Sequence, residues 1–246
     1  MTTIAVFTAH SALKQAAKRL ALQLALPFQA EADYLLLLTP DYLSLQKTHE
    51  KSLPLYIDFS SKRMNYRREN ISMRKETLIR ALGLKSRTQP RIIDATAGLG
   101  RDSFLLASLG FKVQMIERSP IIHALVSDGI KRAWQNPTTA SIVARMELIQ
   151  SNAIIWLQQA AEKPEIIYLD PMFPTRKKSA LSKLDMRIFH DIVGDDPDAD
   201  ALLKTALACA AERVVVKRPR LAVELAGIKP DYSLSGSSSR FDIYIT

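Results

Sequence analysis

Arg91–Asp102 reads RIIDATAGLGRD, and this stretch decides the fold class. Its first part, Arg91–Ala95, predicts a buried strand, and Gly98 and Gly100 then lead into a helix that begins at Asp102. Glycines carry no Cβ, so a ligand can approach the backbone closely, and the new helix offers free N–H groups. Because ligands of open parallel sheets bind beyond the carboxyl ends of the strands, the stretch predicts an α/β fold with a ligand site here. A plain structural turn, with Asp102 as a helix cap, is the alternative.

The chain downstream alternates regularly between short apolar strands and helices, which is typical of a parallel sheet covered on both faces. The last two strands flank a Gly-Ser turn and resemble a hairpin. We therefore expect a Rossmann-like, mostly parallel sheet of seven strands, finished by an antiparallel edge strand. The further predicted strands are Lys112–Ile116, Glu147–Gln150, Glu165–Leu169, Arg213–Val216, Tyr232–Leu234 and Phe241–Ile245; the predicted helices are Asp102–Leu109, Ile121–Trp134, Ala153–Ala161 and one or two between Leu184 and Ala211.

Residues 1–70 lack this alternation and are predicted to form a small α+β appendage to a main domain over residues 71–246. A segment with six cations and Tyr66, running from Lys62 to Lys75, leads into a predicted helix over Ser72–Leu82. The other elements predicted in the appendage are strands at Ile4–Phe7, Tyr34–Leu38, Tyr42–Gln46 and Leu55–Phe59 and a helix at Ser11–Leu24.

The composition restricts the partners of the chain. The 34 Lys and Arg residues outnumber the 25 Asp and Glu residues, for a formal net charge of +9. This excess favours a polyanionic partner such as nucleic acid, and an anionic membrane surface also fits. The single Cys209 excludes an internal disulfide framework, the four histidines lack metal-ligand spacing, and no stretch is long and apolar enough to cross a bilayer. We expect a cytoplasmic protein without a metal.

Polar residues at the ends of the first three strands predict a nucleoside cofactor. Asp94 ends the first strand, Glu117 follows the second strand and can bind both ribose hydroxyls, and Asn152 and Ala153 follow the third strand, where they can meet an adenine. Alternatively, Glu117 only pairs with Arg118 and Asn152 only caps a helix. The Asp-x-x-x-Gly-x-Gly form is similar to the first motif of class I S-adenosylmethionine-dependent methyltransferases. A nicotinamide enzyme is less favoured, because Ser103 stands at the third glycine position of G-x-G-x-x-G.

The fourth strand ends in Asp170-Pro171-Met172-Phe173-Pro174, which resembles the Asp/Asn-Pro-Pro-Phe/Tyr motif of enzymes that methylate exocyclic amino groups of bases. The lone pair of an aromatic amine is delocalised into the ring. The Asp170 carboxylate and the rigidly held carbonyl of Pro171 can accept its two N–H bonds, and Phe173 can stack on the base. Asp170, Pro171 and Phe173 are therefore the predicted catalytic residues. A plain turn is the alternative, and Met172 departs from the second proline.

Basic residues flank this motif at the same predicted end of the sheet. They can hold phosphates on either side of a reacting base, although runs of charge are usually solvated faces. The predicted RNA-binding residues are Arg176, Lys177, Lys178, Lys183, Lys217 and Arg218.

Taken together, these motifs resemble the RsmJ family, the bacterial 16S ribosomal RNA guanine-N2 methyltransferases. The likeness extends from about Leu55 to the end of the chain, and within it Met172 is a family trait. It implies methylation of the N2 amine of one guanosine near the 3′ end of 16S RNA. The substrate is 16S RNA or the small subunit, and we infer no obligate protein partner. The motifs are DATAGLGRD (Asp94–Asp102), Glu117-Arg118, DPMFP (Asp170–Pro174), Lys178–Leu181, VVVKRP (Val214–Pro219) and RFDIY (Arg240–Tyr244); the implied cofactor contacts are Arg101, Asp102, Glu117, Arg118, Asn152, Ala153 and Asp170.

Three other functions remain open at this stage. A DNA amino-methyltransferase can use the same Asp-Pro motif, although no extra target-recognition domain is evident. A non-catalytic RNA-binding or assembly factor can keep the fold, and a nicotinamide oxidoreductase shares only the fold class.

Overall fold

The computed structural model describes residues 2–50, 53–70, 76–84, 89–172, 188, 191–194, 196–236 and 239–246. The strands are β1 Ile4–Phe7, β2 Tyr34–Leu38, β3 Leu43–Lys47, β4 Ile92–Asp94, β5 Val113–Glu117, β6 Met146–Gln150, β7 Ile166–Leu169, β8 Arg213–Pro219, β9 Tyr232–Ser235 and β10 Ser239–Ile245. The α-helices are α1 Lys14–Gln23, α2 Lys62–Glu69, α3 Thr77–Ala81, α4 Arg101–Ser108, α5 Pro120–Trp134, α6 Ala140–Val143, α7 Ala153–Gln159 and α8 Ala199–Cys209.

Seven strands form the main sheet in the order β6-β5-β4-β7-β8-β10-β9. The first five of these are parallel, and β10 is antiparallel to both of its neighbours. This arrangement confirms the predicted seven-stranded, mostly parallel sheet. The antiparallel strand is β10, and it is the second strand from the edge. The terminal hairpin pairs with β8 through β10, so β9 forms the edge.

Successive side chains on the central strands enter two separate hydrophobic clusters. On β7, Ile166 and Tyr168 belong to one cluster, whereas Ile167 and Leu169 belong to the other. This alternation follows from the two-residue period of a strand. Helices α3, α4 and α5 contribute to the first cluster, and α7 and α8 contribute to the second. The central strands are therefore buried on both faces, which explains their continuous apolar sequences.

The N-terminal part of the chain forms a second, three-stranded sheet in the order β1-β2-β3. Its buried Leu36 and Leu45 belong to the same cluster as Phe104 of α4. Close packing of this part against α5 depends on Gly129, because a Cβ there would lie 2.7 Å from Cγ2 of Ile57. The division of the chain at residue 70 stays a prediction.

Two elements before residue 71 differ from the sequence-based expectation. The strand predicted over Leu55–Phe59 is wrong: Leu55 makes only a single antiparallel bridge, with Leu45. Alternate side chains of this segment are buried, at Leu55, Ile57 and Phe59, so it has the burial pattern of a strand, although only Leu55 bridges the sheet. The basic segment forms α2, whose N-terminus is capped by Ser61, and apolar periodicity cannot reveal this helix because only its Met64 is buried.

Of the helix predicted over Ser72–Leu82, the structure has α3, which begins at Thr77 and ends at Ala81. Residues 71–75 lie outside the described part. None of the helices that the structure describes has both the length and the apolar character needed to span a membrane.

Candidate active site

The carboxyl ends of β4, β5, β7 and β8 open into a cleft of about 300 Å³. Residues distant in sequence meet there because parallel strands present their carboxyl ends at one edge of the sheet. The cleft is lined by these predicted cofactor residues: Asp94, Gly98, Arg101, Asp102, Glu117, Arg118, Asn152, Ala153 and Asp170.

The two glycines of the loop after β4 have different positions. Gly98 lines the cleft, and both glycines adopt left-handed backbone conformations, with φ of 52° at Gly98 and 69° at Gly100. Residues with a Cβ adopt this conformation at a cost. Gly100 lies behind the loop at the N-terminus of α4, where a Cβ would approach Met115 Cε to 3.1 Å and Phe59 Cζ to 3.3 Å. Gly98 thus shapes the wall of the cleft, and Gly100 lets the loop pack on the core.

Asp94 links the end of β4 to the helix that follows the loop. Its carboxylate is 1% exposed and accepts hydrogen bonds from Ser103 Oγ and, at 3.3 Å, from the amide of Thr96. Burial raises the pKa of Asp94 to about 7, against the lowering effect of these hydrogen bonds. Ser103 occupies the third glycine position of the nicotinamide-type motif, and its hydroxyl holds this carboxylate in place.

Glu117 lies buried at the end of β5, with 5% of its surface exposed. Its Oε2 accepts from the amide of Gly98 at 3.0 Å, and its Oε1 accepts from the amide of Ser119 at 2.7 Å. Burial raises the pKa of Glu117 to about 7, although both hydrogen bonds lower it. The carboxylate therefore braces the glycine loop, and each oxygen keeps a second lone pair for a ligand hydroxyl.

Arg118 pairs with acidic residues from the opposite side of the cleft. Its guanidinium donates to Asp198 Oδ1 at 2.8 Å and to Asp196. Asp196 Oδ2 also accepts from the amide of Met172 at 2.6 Å, and the amide of Asp196 donates to the carbonyl of Met172 at 3.2 Å. Asp196 therefore ties the loop after β5 to the motif after β7.

Asn152 and Ala153 lie where α7 begins. Asn152 Oδ1 accepts from the amides of Ile154 and Ile155 at 2.9 and 3.3 Å, so it caps the helix. Asn152 therefore caps α7 and also lines the cleft, so its role toward an adenine stays a prediction.

A cluster of charged side chains forms the end of the cleft beside the Asp-Pro motif. Lys217 Nζ donates to Asp170 Oδ2 at 2.8 Å and to Asp102 Oδ2 at 2.9 Å. Asp102 also accepts from the hydroxyl of Tyr168 at 2.9 Å and from Arg67 Nη2 at 3.3 Å. The amide of Asp170 donates to Thr96 Oγ1 at 2.6 Å, which fixes the backbone at the start of the motif.

The pKa values in this cluster follow from burial opposed by ion pairing. Burial raises the pKa of Asp170, assisted by the charge of Asp102, while Lys217 works in the opposite direction. Burial also acts to raise the pKa of Asp102, but Lys217 and Arg67 outweigh it and lower that pKa. Burial would lower the pKa of Lys217, yet the two carboxylates raise it. Lys217 is therefore a fixed cation between two carboxylates of unequal acidity.

Lys217 and Arg218, which were predicted to lie on an RNA-binding surface, have their side chains engaged within the protein. Lys217 points into the cleft and is engaged by Asp102 and Asp170. Neighbouring residues of a strand point to opposite faces, so Arg218 points away from the cleft. It is 5% exposed and donates to the carbonyl of Val223 at 2.6 Å. Lys217 is thus paired with two carboxylates in the cleft, and Arg218 is buried. Of the other predicted catalytic and RNA-binding residues, Pro171 is buried beside Asp170, and Phe173, Arg176, Lys177, Lys178 and Lys183 lie outside the described residues.

Sequence reasoning assigned no site role to several residues that line the cleft. Arg63 and Arg67 reach it from α2, Tyr168 from β7, and Asp196 from the loop before α8. The cations between Lys62 and Lys75 were the available signal for the two arginines. Nothing in the local sequence marks Tyr168 or Asp196. Within the described ranges, no group of three or more His, Cys, Asp or Glu side chains is arranged to hold a metal ion.

Comparison with known proteins agrees with this geometry. A family model of SAM-dependent methyltransferases matches residues 19–246. A protein from Thioalkalivibrio sulfidiphilus named ribosomal RNA small subunit methyltransferase J is 46% identical over all of this chain and 98% of its own length. The chain belongs to this methyltransferase family. A member with the same name from Nitrosococcus oceani is 51% identical over 80% of this chain and 78% of its own.

Family membership also agrees with the solved structures. The crystal structure of a SAM-dependent methyltransferase from Neisseria gonorrhoeae has a TM-score of 0.76 and 38% identity, and the match covers 99% of this chain and 96% of that one. The predicted class I fold, dependence on S-adenosylmethionine and resemblance to the family are thereby confirmed.

Proposed function

We propose that this methyltransferase transfers a methyl group from S-adenosylmethionine to the exocyclic N2 amine of one guanosine near the 3′ end of 16S ribosomal RNA, in the cytoplasm. The names of its relatives support ribosomal RNA of the small subunit as the substrate. The observation that carries the proposal is that Asp170, which follows β7, and Glu117, which ends β5, line one cleft at the same edge of the sheet.

The residues of the cleft suit S-adenosylmethionine. The buried Glu117 carboxylate has lone pairs left for the ribose hydroxyls, and Gly98 brings the backbone close to the ligand. Asn152 and Ala153 form the wall assigned to the adenine, and Arg101 and Asp102 lie at the start of α4. When bound, the cofactor supplies an electrophilic methyl group on its sulfonium.

Asp170 and Pro171 would orient the amine of the base. Lys217 holds Asp170 Oδ2, and among the described residues none donates to Oδ1, so Oδ1 can accept an N–H bond of the amine. The carbonyl of Pro171 would accept the other N–H bond, and Phe173 would stack on the base. The lone pair of the nitrogen would then point at the methyl group, and catalysis would consist mainly of positioning. After transfer the amine has one proton too many, which Asp170 or water accepts.

The basic residues after the motif would bind the RNA backbone. The candidates are four cations that follow the motif closely in the chain, and phosphate contacts beside the reacting base would position the RNA: Arg176, Lys177, Lys178 and Lys183. Lys217 and Arg218 are not part of this proposed surface, because their side chains are engaged inside the protein.

Methyl transfer from labelled S-adenosylmethionine to small ribosomal subunits from a strain without the enzyme tests the reaction, the base and the substrate together. We expect N2-methylguanosine in 16S RNA after nucleoside analysis, with naked 16S RNA and mature subunits as parallel substrates. Label in duplex DNA but not in RNA would support a DNA amino-methyltransferase instead. Cofactor binding without transfer to any of these substrates would favour a non-catalytic assembly factor.

A further inference from the structure

Helix α2 carries an exposed face beside the mouth of the cleft. Arg63 and Arg67 line the cleft, and Tyr66, one helical turn after Arg63, is 70% exposed. Two arginines and an accessible aromatic ring are the side chains with which proteins hold single-stranded nucleic acid.

The position of α2 is fixed by contacts on its other sides. Met64 is buried in the core, and Arg68 Nη1 donates to the carbonyl of Thr138 at 2.8 Å. Just before the helix, the ring of Phe59 stacks on Phe104 of α4, with centroids 4.9 Å apart. These contacts attach α2 to the helix that begins at the glycine loop. The ring of Tyr66 takes no part in these contacts and stays accessible.

The link between α2 and the reacting end of the cleft is direct. Arg67 donates to Asp102, which shares Lys217 with Asp170. A base held at Asp170 would therefore have its neighbouring nucleotides within reach of the α2 face that carries Arg63, Tyr66 and Arg67.

We propose that this α2 face binds the RNA strand next to the target nucleotide. Tyr66 stacks on an unpaired flanking base, and Arg63 binds a phosphate beside it. The partner is single-stranded RNA, because a ring can stack on a base only where that base is not already paired and stacked in a helix. This inference rests on the proposed function and assigns part of the RNA site to the N-terminal region of the chain.

Steady-state methyl transfer to small subunits lacking the modification tests the stacking contact. Tyr66→Ala is expected to raise the KM for subunits about tenfold, and Tyr66→Phe, which keeps the ring, stays near the wild type. Cofactor affinity is unchanged in both, because Tyr66 does not line the cleft. Tyr232→Ala serves as the control: it removes an exposed tyrosine on β9, at the far edge of the sheet.

The phosphate contact is tested by binding of a single-stranded fragment from the 3′ end of 16S RNA at several salt concentrations. Arg63→Ala should lower the slope of log Kd against log salt by about one, whereas Arg19→Ala, on the exposed side of α1, leaves it unchanged. An unchanged KM in Tyr66→Ala, or an equal loss in Tyr66→Phe, would overturn the stacking assignment. Equal weakening for a duplex probe would overturn the single-strand assignment. Absence of transfer by the wild type would contradict the proposed function itself.

Discussion

Lys217 donates to Asp170 at 2.8 Å although 47 residues separate them in the chain. The two residues follow neighbouring parallel strands, and the register that pairs Leu169 with Val216 brings the next residue of each strand side by side. Without this lysine, burial and then the charges of Asp102 and Asp196 would raise the pKa of Asp170 unopposed. The lysine therefore opposes the rise in the pKa of the proposed acceptor of the amine.

Loss of this cation should move the pH profile of methyl transfer. In Lys217→Met, Asp102 and Asp196 still face Asp170, so the pKa of Asp170 rises and the acidic limb of kcat shifts by about one to three pH units toward higher pH. Lys217→Arg should restore much of the wild-type profile. The measurement is kcat between pH 5 and pH 9, with Lys229→Met, an exposed site, as the control. An unshifted acidic limb in Lys217→Met would show that Asp170 does not depend on this ion pair.

Removal of the Asp170 side chain should abolish methyl transfer and spare the fold. We expect Asp170→Ala to lower kcat by at least about 100-fold, because the amine loses an acceptor that orients its lone pair. Thermal unfolding and cofactor affinity report on the fold and the cleft, and Asp41→Ala, an exposed site on the N-terminal part, controls for the change of charge. Near-normal turnover of Asp170→Ala would mean that the chemistry takes place elsewhere.

The affinity for S-adenosylmethionine should depend on pH through Glu117. Its pKa of about 7 lies above the ordinary value of 4.5, so the carboxylate becomes ionised as the pH rises through 7. The ionised form accepts the ribose hydroxyls better, and the affinity should therefore increase between pH 6 and pH 8. In Glu117→Gln we expect affinity about tenfold lower at pH 8 and less dependent on pH.

Calorimetric titration of the cofactor at several pH values measures both the affinity and its dependence on pH. Asp94 also has a pKa of about 7 and still titrates in Glu117→Gln, so the difference between the two curves isolates Glu117. Parallel curves for the wild type and Glu117→Gln would assign the pH dependence to Asp94 or to the ligand.

Alanine substitutions at Gly100 and Gly110 should separate the cost of backbone strain from the cost of crowding in the core. Both have positive φ, 69° and 99°, so alanine at either position costs roughly 1–2 kcal/mol of unfolding free energy. At Gly100 the new Cβ also presses on Met115 and Phe59, whereas at Gly110 nothing lies within 4 Å. Gly100→Ala should therefore lower Tm by roughly 5–10 °C, and Gly110→Ala by clearly less. Equal losses of Tm would show that the core absorbs the extra methyl group without cost.

Reversal of charge at Arg176, Lys177 and Lys178 should weaken RNA binding without changing cofactor affinity. The loss should be largest at low salt, since phosphate contacts release counterions. Filter binding of 16S RNA across a salt series, alongside calorimetry with the cofactor, checks both parts. A matching loss of cofactor affinity would point to damage to the fold.

The sequence alone determined the fold class and the motifs at the strand ends that line the cleft. Short apolar runs alternating with helices predict a sheet buried on both faces, and DATAGLGRD and DPMFP place Asp94, Gly98 and Asp170 at strand ends. These signals are local: the period of a strand, the conformational freedom of glycine and the restraint of proline all act within a few residues.

Contacts between distant segments were decided only by the tertiary structure. Whether Lys217 meets Asp170 or solvent depends on the register of β7 and β8, and a shift of one residue would exchange it with the buried Arg218. Arg67 reaches Asp102 only because α2 packs on α4. Asp196, just before α8, reaches Met172, just after β7, only because the fold brings these two places together. No periodicity encodes such contacts, because packing of whole elements brings the side chains together.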